Sequence, residues 1–266
     1  MSNTQLLLEA VADVARVAGA VALKHFKSGL DVDIKGDGSP VTIADRTAEQ
    51  VARQWIGARF PNDAVLGEEY GLAGSTQGRR WFIDPIDGTK TFVRGVPLWG
   101  TMIAVAEDDV VLAGAIFCPA VDELVAAAVD CGCWWNGVRC HVSREDVMAR
   151  ATILVTDDRF PYNPERAASW HALADRVGMS RTWGDCYGYV QVATGRAELM
   201  VDDRLNAWDA APVIPIIREA GGVYSDWRGG DRVDGGDGVA SNAALGDAFR
   251  QALGVPPVSL SHRTNG

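Results

Sequence analysis

One segment constrains the fold more than any other: between Leu98 and Val142, short strand-like runs follow one another at close spacing. The runs are Thr101 to Ala106, Val110 to Phe117 and Glu123 to Val129, and the pair Asn136-Gly137 marks a further hairpin turn. Strands at this spacing, with turn residues between them, are typical of an antiparallel sheet. The segment therefore predicts an antiparallel sheet in this part of the chain.

Helical periodicity precedes this segment. Apolar residues recur at three- and four-residue intervals from about Thr4 to Lys27, as expected for an amphipathic helix. A second helix is predicted to begin at Thr42, with Asp45 three residues later in a near capping box. Ala64 to Leu66 and Arg80 to Ile83 are predicted to be buried strands, and each runs directly into a cluster of acids.

After about residue 150, strands and helices alternate. The predicted strands lie near residues 153–156, 181–183, 198–201, 222–226 and 238–240, and the predicted helices near residues 165–177, 185–194 and 209–220. Pro212 is compatible with the first turn of the last helix, whereas Pro215 should kink it. The pattern predicts an α+β first half over residues 1–150, an α/β second half over residues 151–255, and a loose tail over residues 256–266.

Charge and apolar content limit the partners that we expect. The net charge of −10 disfavours a nucleic-acid backbone or an anionic membrane, because both need a basic face. The apolar stretch from Leu6 to Val21 is interrupted by Glu9, Asp13 and Arg16, so we expect neither a signal sequence nor a membrane span. A cytoplasmic protein with a small-molecule substrate is the expectation.

The cysteines raise the question of a zinc site, because Cys131, Cys133 and Cys140 cluster with His141. However, the gap in Cys131-Gly-Cys133 is shorter than is typical of structural zinc, and the cluster lies in a strand-rich hairpin. We favour small half-buried residues on strands over a zinc site. An odd number of cysteines in a long chain also makes a disulfide framework unexpected.

The acidic clusters at the strand ends carry the chemistry. They are Gly67-Glu68-Glu69, Asp84-Pro85-Ile86-Asp87-Gly88-Thr89 and, far downstream, Trp208-Asp209. Asp84 and Asp87 can direct two carboxylates into one pocket while the turn exposes the Ile86 carbonyl. Glu68 can complete the site, because hard divalent cations prefer oxygen ligands.

Amides for a phosphate lie next to these carboxylates. Gly88 and Thr89 open a predicted helix, so their backbone N–H groups are available to bind a phosphate. Carboxylates for a metal and amides for a phosphate, side by side, indicate phosphoryl transfer. Each acid alone has a simpler explanation, because Asp87 could cap a helix and Asp84 could end a strand.

Taken together, the motifs resemble the inositol monophosphatase family of Mg²⁺-dependent, Li⁺-sensitive phosphatases. The family pattern is matched at Gly67 to Glu69, Asp84 to Thr89, Trp208-Asp209 and Glu219 to Gly222. The resemblance spans about Leu6 to Leu253. It implies a layered αβαβα sandwich, an active site with two or three Mg²⁺ ions, and a homodimer.

The resemblance also implies roles for single residues. Glu68, Asp84 and the Ile86 carbonyl would bind one metal ion, and Asp84, Asp87 and Asp209 a second. Glu68 and Thr89 would orient the attacking water, Asp45 would hydrogen-bond that threonine, and Lys35 would lie on a flexible loop before it. The residues implied in substrate binding are Asp87, Gly88, Thr89, Asp185, Asp202, Asn206 and Asp209.

Two segments resemble the histidinol-phosphate phosphatase branch of the family. In the first, residues 87–97, Lys90 stands where the inositol enzymes generally have a threonine. In the second, residues 183–189, Asp185 stands where they have a small apolar residue. Asn206 stands where many of them have His or another polar group. Histidinol phosphate carries an ammonium and an imidazole, which a buried carboxylate can bind through charge-assisted hydrogen bonds. We therefore expect hydrolysis of L-histidinol phosphate, with contacts from Asp185 and Asp202.

Several alternatives stay open at the level of sequence. Asp185 could be only a helix cap after Gly184, and Trp183 and Tyr187 could either stack on an imidazole or belong to the core. The substrate could instead be an inositol phosphate or a nucleotide 3′-phosphate. A catalytically silent regulatory relative is disfavoured, because the set Glu68, Asp84, Asp87, Thr89 and Asp209 is intact.

Overall fold

A computed structural model describes residues 3–29, 33–34, 36, 40–75, 77–108 and 110–258. Their strands are β1 (Asp33–Ile34), β2 (Pro40–Val41), β3 (Ala64–Gly67), β4 (Gly71–Ala73), β5 (Arg79–Asp87), β6 (Gly100–Glu107), β7 (Val110–Cys118), β8 (Glu123–Ala128), β9 (Gly132–Trp135), β10 (Val138–Arg139), β11 (Thr152–Val155), β12 (Met179–Arg181), β13 (Leu199–Asp202), β14 (Val223–Ser225) and β15 (Gly238–Ser241). Their α-helices are α1 (Asn3–His25), α2 (Ile43–Arg59), α3 (Thr89–Val93), α4 (Ala167–Ala174), α5 (Asp185–Ala193), α6 (Ala207–Glu219) and α7 (Gly246–Leu253). Short 3₁₀ turns lie at Met148–Arg150 and Pro164–Arg166.

The first half of the chain forms an eight-stranded sheet in the order β10-β9-β8-β7-β6-β5-β3-β4. Only the β3–β5 pair is parallel, and all other neighbours in this sheet are antiparallel. The antiparallel sheet that the spacing of strands predicts is therefore present, and β9 and β10 meet at the Asn136-Gly137 turn. β1 and β2 form a separate two-stranded pair.

The second half forms a five-stranded sheet in the order β12-β11-β13-β15-β14. β11 is parallel to both β12 and β13, whereas β15 runs antiparallel to β13 and β14. Parallel pairing of β11 and β13 fits the alternation of strand and helix, because a parallel connection needs a crossover. One face of each sheet packs on the same two helices, α5 and α6, in a single hydrophobic core.

The layers follow from which apolar side chains pack together. Trp81 and Ile83 of β5 face α1 and α2 in one core cluster, whereas Phe82 between them faces α5 and α6 in another. Successive residues of β13 divide in the same way: Met200 faces α5 and α6, and Leu199 faces α4 and α7. The order of layers is α1/α2, eight-stranded sheet, α5/α6, five-stranded sheet, α4/α7. This confirms the αβαβα sandwich.

Helix α6 continues through both of its prolines, so the expected position of Pro212 in the first turn is wrong, whereas the kink at Pro215 stays a prediction. α6 begins at Ala207, which places Pro212 well inside the helix. Packing between the two sheets buries both prolines and outweighs the lost backbone hydrogen bonds. Gly114 of β7 contributes to this packing, because a Cβ there would lie 2.5 Å from the Pro212 carbonyl oxygen.

Some of the local elements predicted from the sequence are confirmed, and others differ in position or were not predicted. The capping box at the start of α2 is present, with Thr42 and Asp45 bonded to each other. The strand expected near residues 181–183 lies earlier, at Met179–Arg181, and the sequence patterns did not predict β4 or α7. Within the described part of the chain, no helix is both long and apolar enough to cross a membrane.

The cysteines are all free thiols. The Sγ atoms of Cys133 and Cys140 lie 3.5 Å apart across the β9–β10 hairpin, and Cys131 contacts Thr4. Among the described residues, no group of cysteines and histidines has the geometry of a metal site. Cys131, Cys133 and Cys140 lie on or beside β9 and β10, as the sequence interpretation favours.

Candidate active site

Three carboxylates from distant parts of the sequence meet where β5 ends and α6 begins. Asp84 and Asp87 lie on β5, and Asp209 lies in the first turn of α6. One oxygen from each lies within 4.8 Å of the others. The register of β5 against β6 shifts between Asp84 and Asp87, and this irregularity at Pro85 lets both side chains reach the same point.

Hydrogen bonds fix the turn that carries the two aspartates. The Ile86 N–H donates to Asp84 Oδ1 at 2.9 Å, and the Thr101 hydroxyl donates to the Pro85 carbonyl at 2.8 Å. The Thr89 hydroxyl donates to the Ile86 carbonyl at 3.0 Å. The predicted carbonyl ligand and the predicted water-orienting threonine therefore lie in direct contact.

Asp209 has an oxygen that the protein leaves without a hydrogen bond. Its Oδ2 accepts from the Asn206 backbone N–H at 2.7 Å and from the Asn206 side-chain amide at 3.1 Å. Its Oδ1 is buried and receives none. A buried carboxylate oxygen without a donor is costly, and a bound cation would remove the cost.

Burial and mutual repulsion raise the pKa of every carboxyl in this cluster. The pKa of Asp84 is raised well above its usual value by burial and then by the charges of Glu68, Asp87 and Asp209. Burial raises the pKa of Asp209 to about 7. Burial and the charges of Asp185 and Asp209 also raise the pKa of Asp87. Such a group of acids is unfavourable as anions alone and is well suited to hold divalent cations.

Glu68 lies beside this cluster rather than within it. It directly follows β3, and its backbone N–H donates to the Ile83 carbonyl at 3.1 Å, next to Asp84 in sequence. Its charge raises the pKa of Asp45, Asp84 and Asp209, which places its carboxylate near all three. Among the described residues, the compact group of three carboxylates does not include it.

Asp45 makes different hydrogen bonds from those that the sequence resemblance implies. Its Oδ2 accepts from the Thr42 N–H at 2.8 Å and from the Thr42 hydroxyl at 2.6 Å, at the start of α2. Thr89 donates to Ile86, so the expected contact between Asp45 and Thr89 is not made here. The capping requirement of α2 holds the carboxylate, because Thr42 supplies two donors within one turn. Lys35 lies outside the described residues.

The donor set fits Mg²⁺. The cluster offers carboxylate oxygens of Asp84, Asp87 and Asp209, the Ile86 carbonyl lies on the same turn, and the neighbouring Glu68 adds a further carboxylate. Mg²⁺ takes oxygen ligands and retains several waters, so a few carboxylates at an accessible cavity suffice. No nitrogen or sulfur ligand lies in the cluster, which separates it from zinc sites.

A cavity of about 70 Å³ opens onto the cluster. It is lined by Asp87, Met102, Thr156, Asp185, Tyr189, Asp202, Arg204, Leu205 and Asp209. Two of the predicted substrate contacts, Asp185 and Asp202, thus face the same space as two of the predicted metal ligands. Asp202 accepts a hydrogen bond of 2.8 Å from the Tyr189 hydroxyl, and burial raises its pKa well above the usual value.

Asp185 also borders a second, more open cavity of about 260 Å³. Its carboxylate accepts a 3.3 Å hydrogen bond from the Thr91 hydroxyl, and burial raises its pKa to about 6. It contacts α3 rather than its own helix. The Cys186 N–H in the first turn of α5 donates instead to the Asp87 carboxylate. These contacts argue against a role for Asp185 as only a helix cap.

Gly88 is a glycine for two reasons. Its backbone adopts φ = 82°, which side chains disfavour, and a Cβ there would lie 3.0 Å from Asp185 Oδ2. The first turn of α3 therefore lies directly against Asp185. The amides of Gly88 and Thr89, the predicted phosphate donors, lie at this start of α3.

Three further residues were considered as substrate contacts: Asn206, Trp183 and Tyr187. The Asn206 side chain donates a hydrogen bond to Asp209 and is not among the residues that line the smaller cavity, and its contact with the substrate stays a prediction. Trp183 is partly exposed, whereas Tyr187 packs on the core between the sheets and bonds Glu123. Sequence reasoning missed Thr156 and Arg204, because neither belongs to a recognisable motif.

Comparison with known proteins agrees with this site. The sequence profile of the inositol monophosphatase family matches residues 3–253. Histidinol-phosphatase from Chlorobaculum parvum is 41% identical, covering 93% of this chain and 96% of that protein. Histidinol-phosphatase from Mycobacterium tuberculosis is 36% identical, also covering 93% of this chain and 96% of that protein.

Solved structures give the same answer for the fold. The extragenic suppressor protein suhB from Bartonella henselae superposes with a TM-score of 0.86 at 28% identity, covering 93% of this chain and 98% of that one. The family is metal-dependent, in agreement with the acidic cluster. The protein is a phosphoric monoester hydrolase of the layered sandwich type. The chain belongs to the inositol monophosphatase family.

Proposed function

We propose that this phosphatase hydrolyses L-histidinol phosphate to L-histidinol and phosphate. The observation that carries the proposal is the position of Asp185 and Asp202, which line the same cavity as the metal-site residues Asp87 and Asp209. A substrate bound by its phosphate at the metal site would present its organic part to these two carboxylates. The names of the two similar histidinol-phosphatases support the assignment.

The charge of the cavity favours a cationic leaving group. Four of its lining residues are aspartates, and Arg204 is the one cationic residue among the described lining. Histidinol carries an ammonium and an imidazole, each able to donate to a carboxylate. A neutral polyol would leave Asp185 and Asp202 without a charged partner, at a cost of several kcal/mol in unfavourable cases.

The residues of the chain divide the work of hydrolysis between them. We propose that Asp84, Asp87, Asp209, Glu68 and the Ile86 carbonyl hold two or three Mg²⁺ ions. When bound, Mg²⁺ would stabilise charge on the phosphate oxygens and lower the pKa of water. Glu68 and Thr89 orient the attacking water, and Asp45 supports this part of the site from the start of α2. Water attacks phosphorus, the bond to the histidinol oxygen breaks, and that oxygen leaves as the alcohol after taking a proton.

The backbone at the start of α3 orients the phosphate. The amides of Gly88 and Thr89 would bind the phosphate there, and Gly88 adopts a left-handed conformation at the start of this helix. Asn206 acts through Asp209, which it holds with two hydrogen bonds. A homodimer in the cytoplasm completes the proposal, on the strength of the family resemblance.

A panel of phosphate esters tests the proposal. Phosphate release would be measured with histidinol phosphate, inositol 1-phosphate, a nucleotide 3′-phosphate and glycerol 2-phosphate, each at several Mg²⁺ concentrations. We expect the highest kcat/KM for histidinol phosphate. A higher value for inositol 1-phosphate or the nucleotide would reject the substrate while leaving the phosphatase assignment intact.

A further inference from the structure

A buried ion pair of α2 holds the hairpin that carries Glu68. Glu49 is fully buried, and its carboxylate lies inside the turn between β3 and β4. Its Oε2 accepts the Glu69 N–H at 2.6 Å, and its Oε1 accepts the Tyr70 N–H at 3.2 Å. The two residues that follow Glu68 are therefore bonded to one carboxylate.

Arg53 extends this contact to both strands of the hairpin. Its Nε donates to Glu49 Oε1 at 2.7 Å, and the two residues are one helical turn apart. Its Nη1 donates to the Val65 carbonyl at 3.4 Å, and its Nη2 donates to the Gly71 carbonyl. The charge of Glu49 is thus paired, and each carboxylate oxygen accepts at least one donor, as a buried ion needs.

Gly67 provides the space for this carboxylate. A Cβ at residue 67 would lie 2.1 Å from Glu49 Oε1 and 2.4 Å from its carboxyl carbon. Any side chain at this position would displace the carboxylate from the turn. Gly67 and Glu49 are therefore fitted to each other, although they lie far apart in the sequence.

The hairpin has to hold Glu68 against repulsion. The Glu68 backbone N–H donates a hydrogen bond to the Ile83 carbonyl. The charge of the Glu68 side chain raises the pKa of Asp45 and Asp84, so the three carboxylates repel one another. Like charges at short range push a flexible loop apart, whereas a loop fixed through its backbone amides keeps the ligand in place. The net charge of the Glu49–Arg53 pair is zero, so it adds no further repulsion.

We propose that Glu49, paired with Arg53, is a positioning residue that presets Glu68 for metal binding. The inference rests on the metal role of Glu68 in the proposed function. Residues that orient metal ligands typically change metal affinity or activity by about 10- to 100-fold when they are replaced. We expect a shift of this size in the Mg²⁺ requirement, with a smaller effect on KM for the ester.

Glu49→Gln tests the proposal with little change of volume. The amide has one acceptor oxygen, so the Glu69 or Tyr70 N–H loses its partner and the hairpin loosens. Two quantities would be measured: the Mg²⁺ concentration for half-maximal phosphate release, and the rise in Tm on addition of Mg²⁺. We expect half-saturation at roughly 10- to 100-fold higher Mg²⁺ and a smaller rise in Tm.

Glu198→Gln is the matched control. Glu198 is also buried, and its carboxylate accepts the Thr152 N–H at 2.6 Å and the Ser143 hydroxyl at 2.7 Å, beside the five-stranded sheet. Its replacement should lower Tm without altering the Mg²⁺ requirement. Equal Mg²⁺ shifts in both variants would reduce Glu49 to a general contributor to folding and overturn the proposal.

Gly67→Ala gives a second test that does not depend on the folding of Glu49→Gln. The methyl group should reproduce the Mg²⁺ shift by displacing the carboxylate, and its effect should largely disappear in a Glu49→Ala background. Additive effects of the two substitutions would contradict the proposal. If Mg²⁺ fails to raise the Tm of the wild type, the metal role itself is rejected. If Mg²⁺ raises the Tm of the wild type, and Glu49→Gln and Gly67→Ala respond to Mg²⁺ as the wild type does, only the positioning role is rejected.

Discussion

At the scale of single residues, the site depends on acids whose ionised forms are unfavourable without a partner. Asp84 and Asp209 are buried with raised pKa values, and one Asp209 oxygen lacks any donor. Asp185 and Asp202 both line the smaller cavity, and the pKa of each is also raised. In the proposed function, metal ions neutralise the first pair when its carboxyls are ionised, and the substrate neutralises the second.

Asp185→Asn separates the proposed substrate contact from catalysis. If the carboxylate binds the ammonium or imidazole of histidinol, the variant leaves a cationic group unpaired at a cost of about 2–4 kcal/mol. We expect kcat/KM for histidinol phosphate to fall by roughly 30- to 1000-fold. Hydrolysis of glycerol 2-phosphate by the same variant should change little, and equal losses on the two esters would show that Asp185 acts on the fold or the metal site.

At the scale of elements, the sequence predicts a motif more readily than the packing between motifs. The hexapeptide Asp84 to Thr89 and the capping box of α2 are local patterns, and both positions agree with the structure. The path of α6 through Pro212 and Pro215 is not local, because burial between two sheets supports it. The short strand β4 has too few residues to show a period.

The candidate site likewise contains residues that belong to local motifs and residues that contribute only through long-range contacts. Its carboxylates follow strand ends or open a helix, which pattern and resemblance detect. Thr156, Arg204 and Glu49 contribute through contacts with residues far away in the sequence, and no local pattern marks them. The crowding of Gly67 by the Glu49 carboxylate is likewise visible only in the structure.

Gly114→Val tests the close contact of α6 with the eight-stranded sheet. A Cβ at Gly114 would lie 2.5 Å from the Pro212 carbonyl oxygen and 2.8 Å from its Cα, and backbone cannot move aside as a flexible side chain can. We expect the free energy of unfolding to fall by about 3 kcal/mol or more, at or above the upper end for overpacking. Denaturant unfolding would measure it.

Gly57→Ala provides the comparison for Gly114→Val. Gly57 lies on α2 with open space around its Cβ position, so alanine should leave stability unchanged or raise it by up to about 1 kcal/mol. Similar losses in the two variants would mean that the contact between Gly114 and Pro212 has no special weight.

At the scale of the whole molecule, the acidic site should make stability depend on pH and metal together. The pKa values of Asp84, Asp87, Asp185 and Asp209 are all raised above the ordinary aspartate value, the last to about 7. Between about pH 4 and pH 7 the folded chain therefore binds more protons than the unfolded chain, and these groups lower stability as pH rises.

The metal-free protein should consequently lose stability from pH 5.5 to pH 8 in EDTA. Mg²⁺ should raise Tm more at pH 8 than at pH 5.5, because ionised carboxylates bind the cation and protonated ones do not. Thermal unfolding at constant ionic strength measures both effects. A Mg²⁺ effect that is equal at the two pH values would contradict the link between the raised pKa values and metal binding.

The central claim is that a cluster of carboxylates holds the metal on which hydrolysis depends, and Asp84→Asn tests it most directly. Phosphate release from histidinol phosphate would be followed for wild type and variant across a Mg²⁺ titration and in EDTA, with Tm as the check on folding. We predict Mg²⁺-dependent release by the wild type, none in EDTA, and almost none from a folded variant at any Mg²⁺ concentration. Release that persists in EDTA, or a fully active Asp84→Asn, would contradict the account.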